Sequence, residues 1–400
     1  MAGHGGFGRI ASARTKLFVS YVAVGALALG AGCSAPPGAD PSQPAGGATR
    51  AADPATSPAS TENPAADRTP TATPRGGTPA PRVTPPAPEP ITLAFAGDIH
   101  FQNQLRSRLA DPGTALAPLR PELSAADLTV ANLETAVTTR GAPEDKRYRF
   151  RAPPSAFDAV AAAGIDVVTM ANNHAVDYGP VGLRDTLAAA AHAPVAVVGI
   201  GADAAQAFAP HVARIRGTTV AVIGADAVPD PTTRHFAAGE DTAGIAVAVR
   251  PARLLAAVRA ARRTADIVVV YLHWGQERVG CPTSGQRDLA RMLAGAGADV
   301  VVGSHAHVQL GAGTLDDTFV AYGLGNFVWY SRNSRRESTT GVLTLTMTGR
   351  SVREARWTPG RVGADGLPRF TSGDQAERLR RDFADLTACT GLGRIGTPPV

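Results

Sequence analysis

The sequence predicts a layered α/β fold over residues 91–400, and three observations carry that prediction. Short apolar runs, most of them rich in Val, Ile or Leu, recur at 91–96, 128–131, 165–170, 267–272 and 299–302 without polar alternation, as strands covered on both faces do. Stretches with Ala/Leu/Arg patterning stand at 155–163, 182–191, 252–264 and 286–295, so strand and helix alternate. Each apolar run also leads into a short polar signature. In sheets of this kind, sites gather in the crevice beyond the carboxyl ends of the strands.

The elements follow in order. The third run precedes a helix opened by Gly179-Pro180, where Pro suits a first helical position. Residues 341–348 and 352–359 read as a hairpin completing a sheet, and 374–386 as an amphipathic terminal helix. The main domain is expected over 91–348, with 349–400 adding a hairpin strand, helix and tail that complete it. No internal repeat is visible.

The first ninety residues are of another kind. Arg9, Arg14 and Lys16 precede an apolar run over 17–32 that ends at Cys33, the layout of a secretory signal over 1–33. Leu29-Gly30-Ala31-Gly32-Cys33 resembles a bacterial lipobox, in which the Cys is lipid-modified and becomes the first mature residue. Gly30 departs from the usual Leu. The expected location is the outer face of the bacterial cytoplasmic membrane, as a lipoprotein anchored through Cys33. Ordinary secretion and an uncleaved anchor are the alternatives. Residues 34–90 are Pro, Ala, Thr, Gly and Ser with almost no large apolar side chain, so they bury too little to offset ordering entropy and are expected to act as a tether.

Charge and cysteines narrow the classes further. The formal net charge is +5, and +2 once residues 1–33 are removed. Lys16 and Lys146 are the only lysines, and the arginines are spread along the chain, so nothing forms a nucleic-acid patch. Cys281 and Cys389 either pair, tying the terminal segment to the loop after His273-Trp274, or leave Cys281 free beside that turn.

The signatures are Gly97-Asp98-Ile99-His100, Asn132-Leu133-Glu134, Ala171-Asn172-Asn173-His174, His273-Trp274-Gly275 and Gly303-Ser304-His305-Ala306-His307. Five of the nine histidines fall inside them. Side chains at i and i+2 of an extended segment share a side, so Asp98 with His100, and His305 with His307, each present two donors together. Imidazole, carboxylate and amide donors without a nearby thiolate suit Zn, Mn, Fe or Mg. Singly, each signature has a plainer explanation, such as a turn or a helix cap at Asn132 or Asn173. Together, in this order and each after a strand, they read as a two-metal site. Arg147, Arg149 and Arg151 either hold an anionic substrate or form a solvated loop.

These motifs, with Asp177, Gly179, Glu277 and Gly323-Leu324-Gly325-Asn326-Phe327, resemble the CapA family of poly-γ-glutamate capsule synthesis proteins over about 91–348. That family looks like a branch of the calcineurin-like metallophosphoesterase fold. The resemblance implies an α/β/β/α sandwich with its site at the carboxyl ends of the strands. It implies two divalent ions held by Asp98, His100, Glu134, Asn173, His273, His305 and His307. His174 is then the catalytic histidine and Asp177 its orienting carboxylate, with Asn132, Arg149 and Asn326 against substrate. Glu134 stands where metallophosphoesterases usually carry Gly-Asp-x-x-Asp, and Ala306 where the CapA pattern more often has Pro. The implied function is capsule or cell-envelope polymer synthesis, export or processing through a hydrolase-like site, with capsule-synthesis membrane proteins as partners. A non-catalytic polymer-binding or export component and an extracellular phosphodiesterase are the other readings.

Overall fold

The computed structural model describes residues 89–394. The signal-type segment, Cys33 and all of the tether except its last two residues lie outside the described residues.

Fourteen strands build two main sheets. They are β1 (Ile91–Ile99), β2 (Leu128–Leu133), β3 (Val167–Thr169), β4 (Ala196–Val198), β5 (His211–Ile215), β6 (Thr218–Asp226), β7 (Ile267–Trp274), β8 (Val300–His305), β9 (Gln309–Leu315), β10 (Thr318–Leu324), β11 (Asn326–Val328), β12 (Thr339–Thr348), β13 (Ser351–Val362) and β14 (Pro368–Phe370). The first sheet runs β14-β13-β12-β1-β2-β3-β4, with β11 also on β1. The second runs β9-β10-β8-β7-β6-β5. Their centres are parallel, with β1 beside β2 and β7 beside β6 and β8, while the edge hairpins are antiparallel.

Burial explains the layering. Ile91, Leu93 and Phe95 of β1, Val130 of β2 and Leu343 and Leu345 of β12 join one buried cluster with Val220, Val222, Ile267, Val269, Val300 and Val302 of the second sheet. The alternate residues face the helices. Ala131 and Val168 share a second cluster with Phe157 and Val160 of α1 (Ser155–Ala162) and Leu183 of α2 (Gly179–Ala190). Val268, Val270 and Val301 join Leu254 and Val258 of α3 (Ala252–Arg262) and Leu289 and Leu293 of α4 (Ser284–Ala296). Strands apolar on both faces between two helical layers make an α/β/β/α sandwich, and each fully buried aliphatic side chain contributes roughly 1.5–3 kcal/mol.

Several strands run past the ends expected from the sequence. β1, β7 and β8 continue to Ile99, Trp274 and His305, because parallel neighbours keep their ladders paired. Asp98, His273 and His305 therefore sit on the last strand residues, not in loops. The ladder between β1 and β2 slips between Phe95 and Asp98, and Asp98 emerges flanked by Asn132 on β2 and Asn326 on β11. Gly97 permits this: a Cβ there would lie 1.9 Å from the Gly325 carbonyl oxygen.

The terminal segment belongs to the first sheet. β12 pairs with β1, β13 with β12, and α5 (Gly373–Asp385) lays Phe383 flat on Trp357 at 4.5 Å. Cys281 and Cys389 form a disulfide, with Cα atoms 5.7 Å apart, that ties the end of this segment to the loop after His273-Trp274.

Candidate metal centre

The sandwich brings two buried carboxylates together at the carboxyl ends of β1 and β2. Asp98 Oδ1 accepts from Asn132 Nδ2 at 2.8 Å, and its Oδ2 accepts from the His305 backbone N–H at 3.3 Å. Glu134 is fully buried, its backbone held to Ile99 at 2.8 Å, yet neither of its carboxylate oxygens has a hydrogen-bond partner. Burial, reinforced by the negative charge of Asp98, pushes its pKa well above the ordinary value.

Imidazoles surround these oxygens. His273 Nε2 lies 3.6 Å and His174 Nε2 3.8 Å from Glu134 Oε1, while His307 Nδ1 lies 3.5 Å from Asp98 Oδ2. His273 Nδ1 sits 2.9 Å from Ser304 Oγ, and its Nε2 lies 3.0 Å from Asn173 Oδ1 and 3.1 Å from His305 Nδ1. Burial first, and the neighbouring imidazoles second, push His273 well below its ordinary pKa and His305 down to about 3. Both rings are therefore neutral with lone pairs available, the state in which imidazole binds a metal.

His305 and His307 converge by a different route from strand alternation. Their φ values are +87° and +56°, so both occupy left-handed backbone, which costs about 1–3 kcal/mol each and is sustained where the surroundings enforce it. Asn326 completes the turn: its Oδ1 lies 2.9 Å from His307 Nδ1 and its Nδ2 donates to the Glu337 carbonyl at 3.1 Å.

A second unit stands beside the first. His174 Nδ1 lies 2.6 Å from Asp177 Oδ2, which also accepts the Phe150 backbone N–H at 2.6 Å. The Phe150 ring stacks on His174 at 4.1 Å. Lys146 Nζ lies 2.8 Å from Asp177 Oδ1 and donates to the Asn173 carbonyl at 2.5 Å. Asn172 braces the arrangement, donating to Asn132 Oδ1 at 3.0 Å and accepting the His174 backbone N–H at 3.1 Å.

The residues singled out in the sequence thus fall into groups. Asp98, Glu134, Asn173, His273, His305 and His307 meet in one buried cluster, and His174 with Asp177 borders it. Asn132 is spent on Asp98, His273 and Asn172. His100 lies one aromatic layer from the cluster: its ring stacks on Phe150 at 4.6 Å and meets Trp329 edge-on at 4.2 Å, the rings that pack on His174 and His307, and its Nδ1 accepts from the Gln102 N–H at 3.0 Å. Arg149 is exposed and donates to the Glu144 carbonyl, Arg147 lies over Tyr148, and Arg151 over Tyr178. Sequence reasoning did not single out Lys146, Phe150, Ser304, Trp329 or Tyr330 as site residues.

The donor set fits a divalent cation. Ligand atoms of Asp98, Glu134 and His307 lie within 4.8 Å of one another. Two buried carboxylate oxygens without partners are expensive unless a cation offsets them. Neutral imidazoles at His273 and His305 and the amide oxygen of Asn173 extend the set, and hard oxygen with imidazole nitrogen suits Zn, Mn, Fe or Mg.

Fold and site together define an α/β/β/α sandwich with a candidate metal centre at the carboxyl ends of its parallel strands. Residues 92–331 match the family model described as bacterial capsule synthesis protein PGA_cap, and the chain belongs to that family. It is 32% identical over 246 residues to the PGA biosynthesis protein CapA of Bacillus subtilis, covering 60% of this chain and 63% of that one. It is 30% identical over 251 residues to the capsule biosynthesis protein CapA of Bacillus anthracis, covering 60% of each. It is 33% identical over 224 residues to a probable polyglutamine synthesis accessory protein of Mycobacterium tuberculosis, covering 54% of this chain and 58% of that one. The chain spans less than two thirds of the length of each of these relatives. Among solved structures, a phosphatase from Mycoplasma pneumoniae aligns with TM-score 0.44 and 15% identity, over 75% of this chain and 99% of that one. A 5'-nucleotidase from Candida albicans aligns with TM-score 0.39 and 11% identity, over 74% and 57%.

Proposed function

We propose that this chain is exported, held at the outer face of the cytoplasmic membrane by a lipidated Cys33, and acts through a two-metal hydrolase-type site on an anionic cell-envelope polymer of the poly-γ-glutamate kind. The observation that carries the reading is Glu134, whose two buried oxygens have no hydrogen-bond partner while Asp98, His174, His273 and His307 crowd around it.

Asp98, Glu134, Asn173, His273, His305 and His307 would hold the ions. When bound, divalent ions supply Lewis acidity and a nucleophile from water near neutral pH. The chain's own residues do the rest. Asp177 accepts a hydrogen bond from His174 Nδ1–H and fixes the ring with Nε2 on the Glu134 side; burial lowers the His174 pKa while Asp177 opposes the shift, and from the imidazolium Nε2–H would pass its proton to the leaving group, leaving the ring neutral. Phe150 stacks on His174 and packs with Trp329 and Tyr330, giving that side an aromatic surface.

The names of the relatives, which speak of biosynthesis and of an accessory role in synthesis, favour a second reading in which the same site binds polymer during assembly without cleaving it. One experiment separates the two. The purified chain, reconstituted with Mn or Zn, is analysed for metal and then incubated with poly-γ-glutamate and with a phosphodiester panel. Bound metal with turnover of either substrate supports the hydrolase. Polymer binding without turnover, with or without metal, supports assembly; no metal after reconstitution overturns the hydrolase, and no polymer binding either overturns both.

A further inference from the structure

We propose that Lys146 is the positioning residue for the His174–Asp177 pair, the anchor of a clasp formed by the segment from Glu144 to Phe150. The consequence for catalysis rests on the hydrolase reading; the positional claim does not.

Lys146 is the only lysine in the described residues. Its ammonium group makes three short approaches: Asp177 Oδ1 at 2.8 Å, the Asn173 carbonyl at 2.5 Å and Thr232 Oγ1 at 3.5 Å. The approach to Asp177 Oδ1 is an ion pair without hydrogen-bond alignment, the Asn173 carbonyl takes the short hydrogen bond, and Thr232 lies at the limit of reach, so the ammonium acts on Asp177 through its charge. Lys146 stands in the segment after β2, and its neighbours come from the segments following β3 and β6.

The geometry around Asp177 explains why a lysine is needed. Asp177 is buried, and its Oδ2 is spent on the His174 ring and the Phe150 N–H. Lys146 is the cation at the other oxygen. The same segment meets the unit at two further points: the Glu144 N–H donates to the Asp177 carbonyl at 2.9 Å, and the Phe150 ring covers the face of His174 at 4.1 Å. With Lys146 removed, Oδ1 becomes a buried oxygen without a counter-charge. The carboxylate then relaxes by rotating or taking up a proton, and either change releases the imidazole from its orientation. Arg147, Arg149 and Arg151 cannot substitute, since their guanidinium groups lie on Tyr148, on the Glu144 carbonyl and on Tyr178.

The test uses the full chain as wild type, Lys146→Met, Lys146→Arg, His174→Ala and the Lys146→Met/His174→Ala double variant. The first measurement needs no turnover. The His174 Nδ1–H, held against a carboxylate, gives a slowly exchanging low-field proton resonance, assigned by its absence in His174→Ala. That resonance is expected to vanish or move upfield in Lys146→Met and to persist in Lys146→Arg, which keeps the charge. The second measurement is hydrolysis of two phosphodiesters, one releasing p-nitrophenol and one releasing an alkyl alcohol. Lys146→Met is expected to lower kcat about 10–100-fold with KM unchanged and metal content intact, within the range a positioned acid contributes. The loss is larger for the alkyl leaving group, which needs the proton more. The double variant is expected to be no slower than His174→Ala, because residues acting as one unit are not additive. An unchanged resonance in Lys146→Met, or losses that multiply in the double variant, overturns the proposal. If Lys146→Met does not fold, Lys146→Arg decides through the resonance. If no form hydrolyses either ester, the hydrolase reading falls and the resonance still decides the role of Lys146.

Discussion

Glu134 and His273 approach to 3.6 Å although one directly follows a strand of the first sheet and the other is the next-to-last residue of a strand of the second. The site is therefore a seam between two sheets, closed by a carboxylate that protein donors do not satisfy. Glu134→Gln should make the metal-free protein more stable and the metal-loaded protein less stable. The sign follows from linkage. The Glu134 pKa is raised above its ordinary 4.5, so in metal-free protein the unfolded chain loses this proton first and stability falls as pH rises from 4.5 to the raised value, at about 1.4 kcal/mol per pH unit. The glutamine variant lacks that slope. Denaturant melts in chelator at several pH values would show it, and a variant that tracks wild type throughout would remove the argument for a strained carboxylate.

The histidines act in the opposite direction. His100 and His273 are pushed well below 6.5 by burial, and His305 to about 3. Below pH 6.5 the unfolded chain takes up protons that the folded chain refuses, so stability drops with falling pH by about 1.4 kcal/mol per pH unit for each histidine. His174 and His211 are lowered as well, while the buried acids Glu134 and Asp226 oppose them, so the histidines outweigh the acids between 4.5 and 6.5 and metal-free protein should lose stability as pH falls across that window. Replacing His305 by Gln should reduce the slope by about 1.4 kcal/mol per pH unit, read from melts at pH 6.5, 5.5 and 4.5.

Asp98, His174, His273 and His305 were legible in the sequence because each closes an apolar run, and strands covered on both faces announce themselves by lacking alternation. Lys146 and Phe150 were not, since they lie in an irregular segment where arginines dominate the eye and only the fold brings a lysine against Asp177. The strand Gln309–Leu315 was missed for a related reason. Gly311 and Gly313 break its apolar run, and a Cβ at Gly311 would meet the Leu386 backbone at 2.6 Å and one at Gly313 the Gly393 oxygen at 2.3 Å. Glycine is there to let the terminal segment pack close, a tertiary demand that no local pattern reveals. His100 illustrates the reverse: a ligand-type residue at ligand-type spacing whose ring is stacked among Phe150, Trp329 and Tyr330.

The disulfide closes a separation of 108 residues. Cys389→Ser should lower stability by about 2–4 kcal/mol and release the terminal segment from the loop after His273. A thiol count of the denatured full chain checks the bond first: its two thiols should appear only after reduction. A melt with and without reductant then measures its contribution, and an unchanged melt would leave the bond without a structural role.

Gly97→Ala should be among the most damaging small substitutions in the chain. The added Cβ would sit 1.9 Å from a backbone oxygen, Gly325 O, and no flexible side chain is there to yield. Either β1 moves away from β11, breaking the Asp98 N–H bond to Gly325 O at 3.0 Å, or the turn carrying Asn326 shifts. A loss of at least about 2 kcal/mol is expected, together with weakened metal binding, because both routes displace Asp98 or the partner of His307. Wild-type stability in Gly97→Ala would mean that β1 and β11 have more slack than the close approach allows.

The sharpest division falls between holding the ion and moving the proton. Asp98 belongs to the three-residue group with Glu134 and His307, and it also accepts the backbone N–H of His305, so its removal unties both halves of the seam. His174 stands off from the carboxylates, its Nδ1 on Asp177 and its Nε2 at 3.8 Å from Glu134, beyond hydrogen-bonding reach. Asp98→Ala should therefore lose both metal and turnover, while His174→Ala should keep metal and lose turnover by about 100-fold or more. Elemental analysis beside single-substrate kinetics on the same preparations reads both quantities. Should His174→Ala turn over as fast as wild type, the proton must come from elsewhere, and Asp177, Phe150 and Lys146 would be reassigned from catalysis to the structure of the loop after β3.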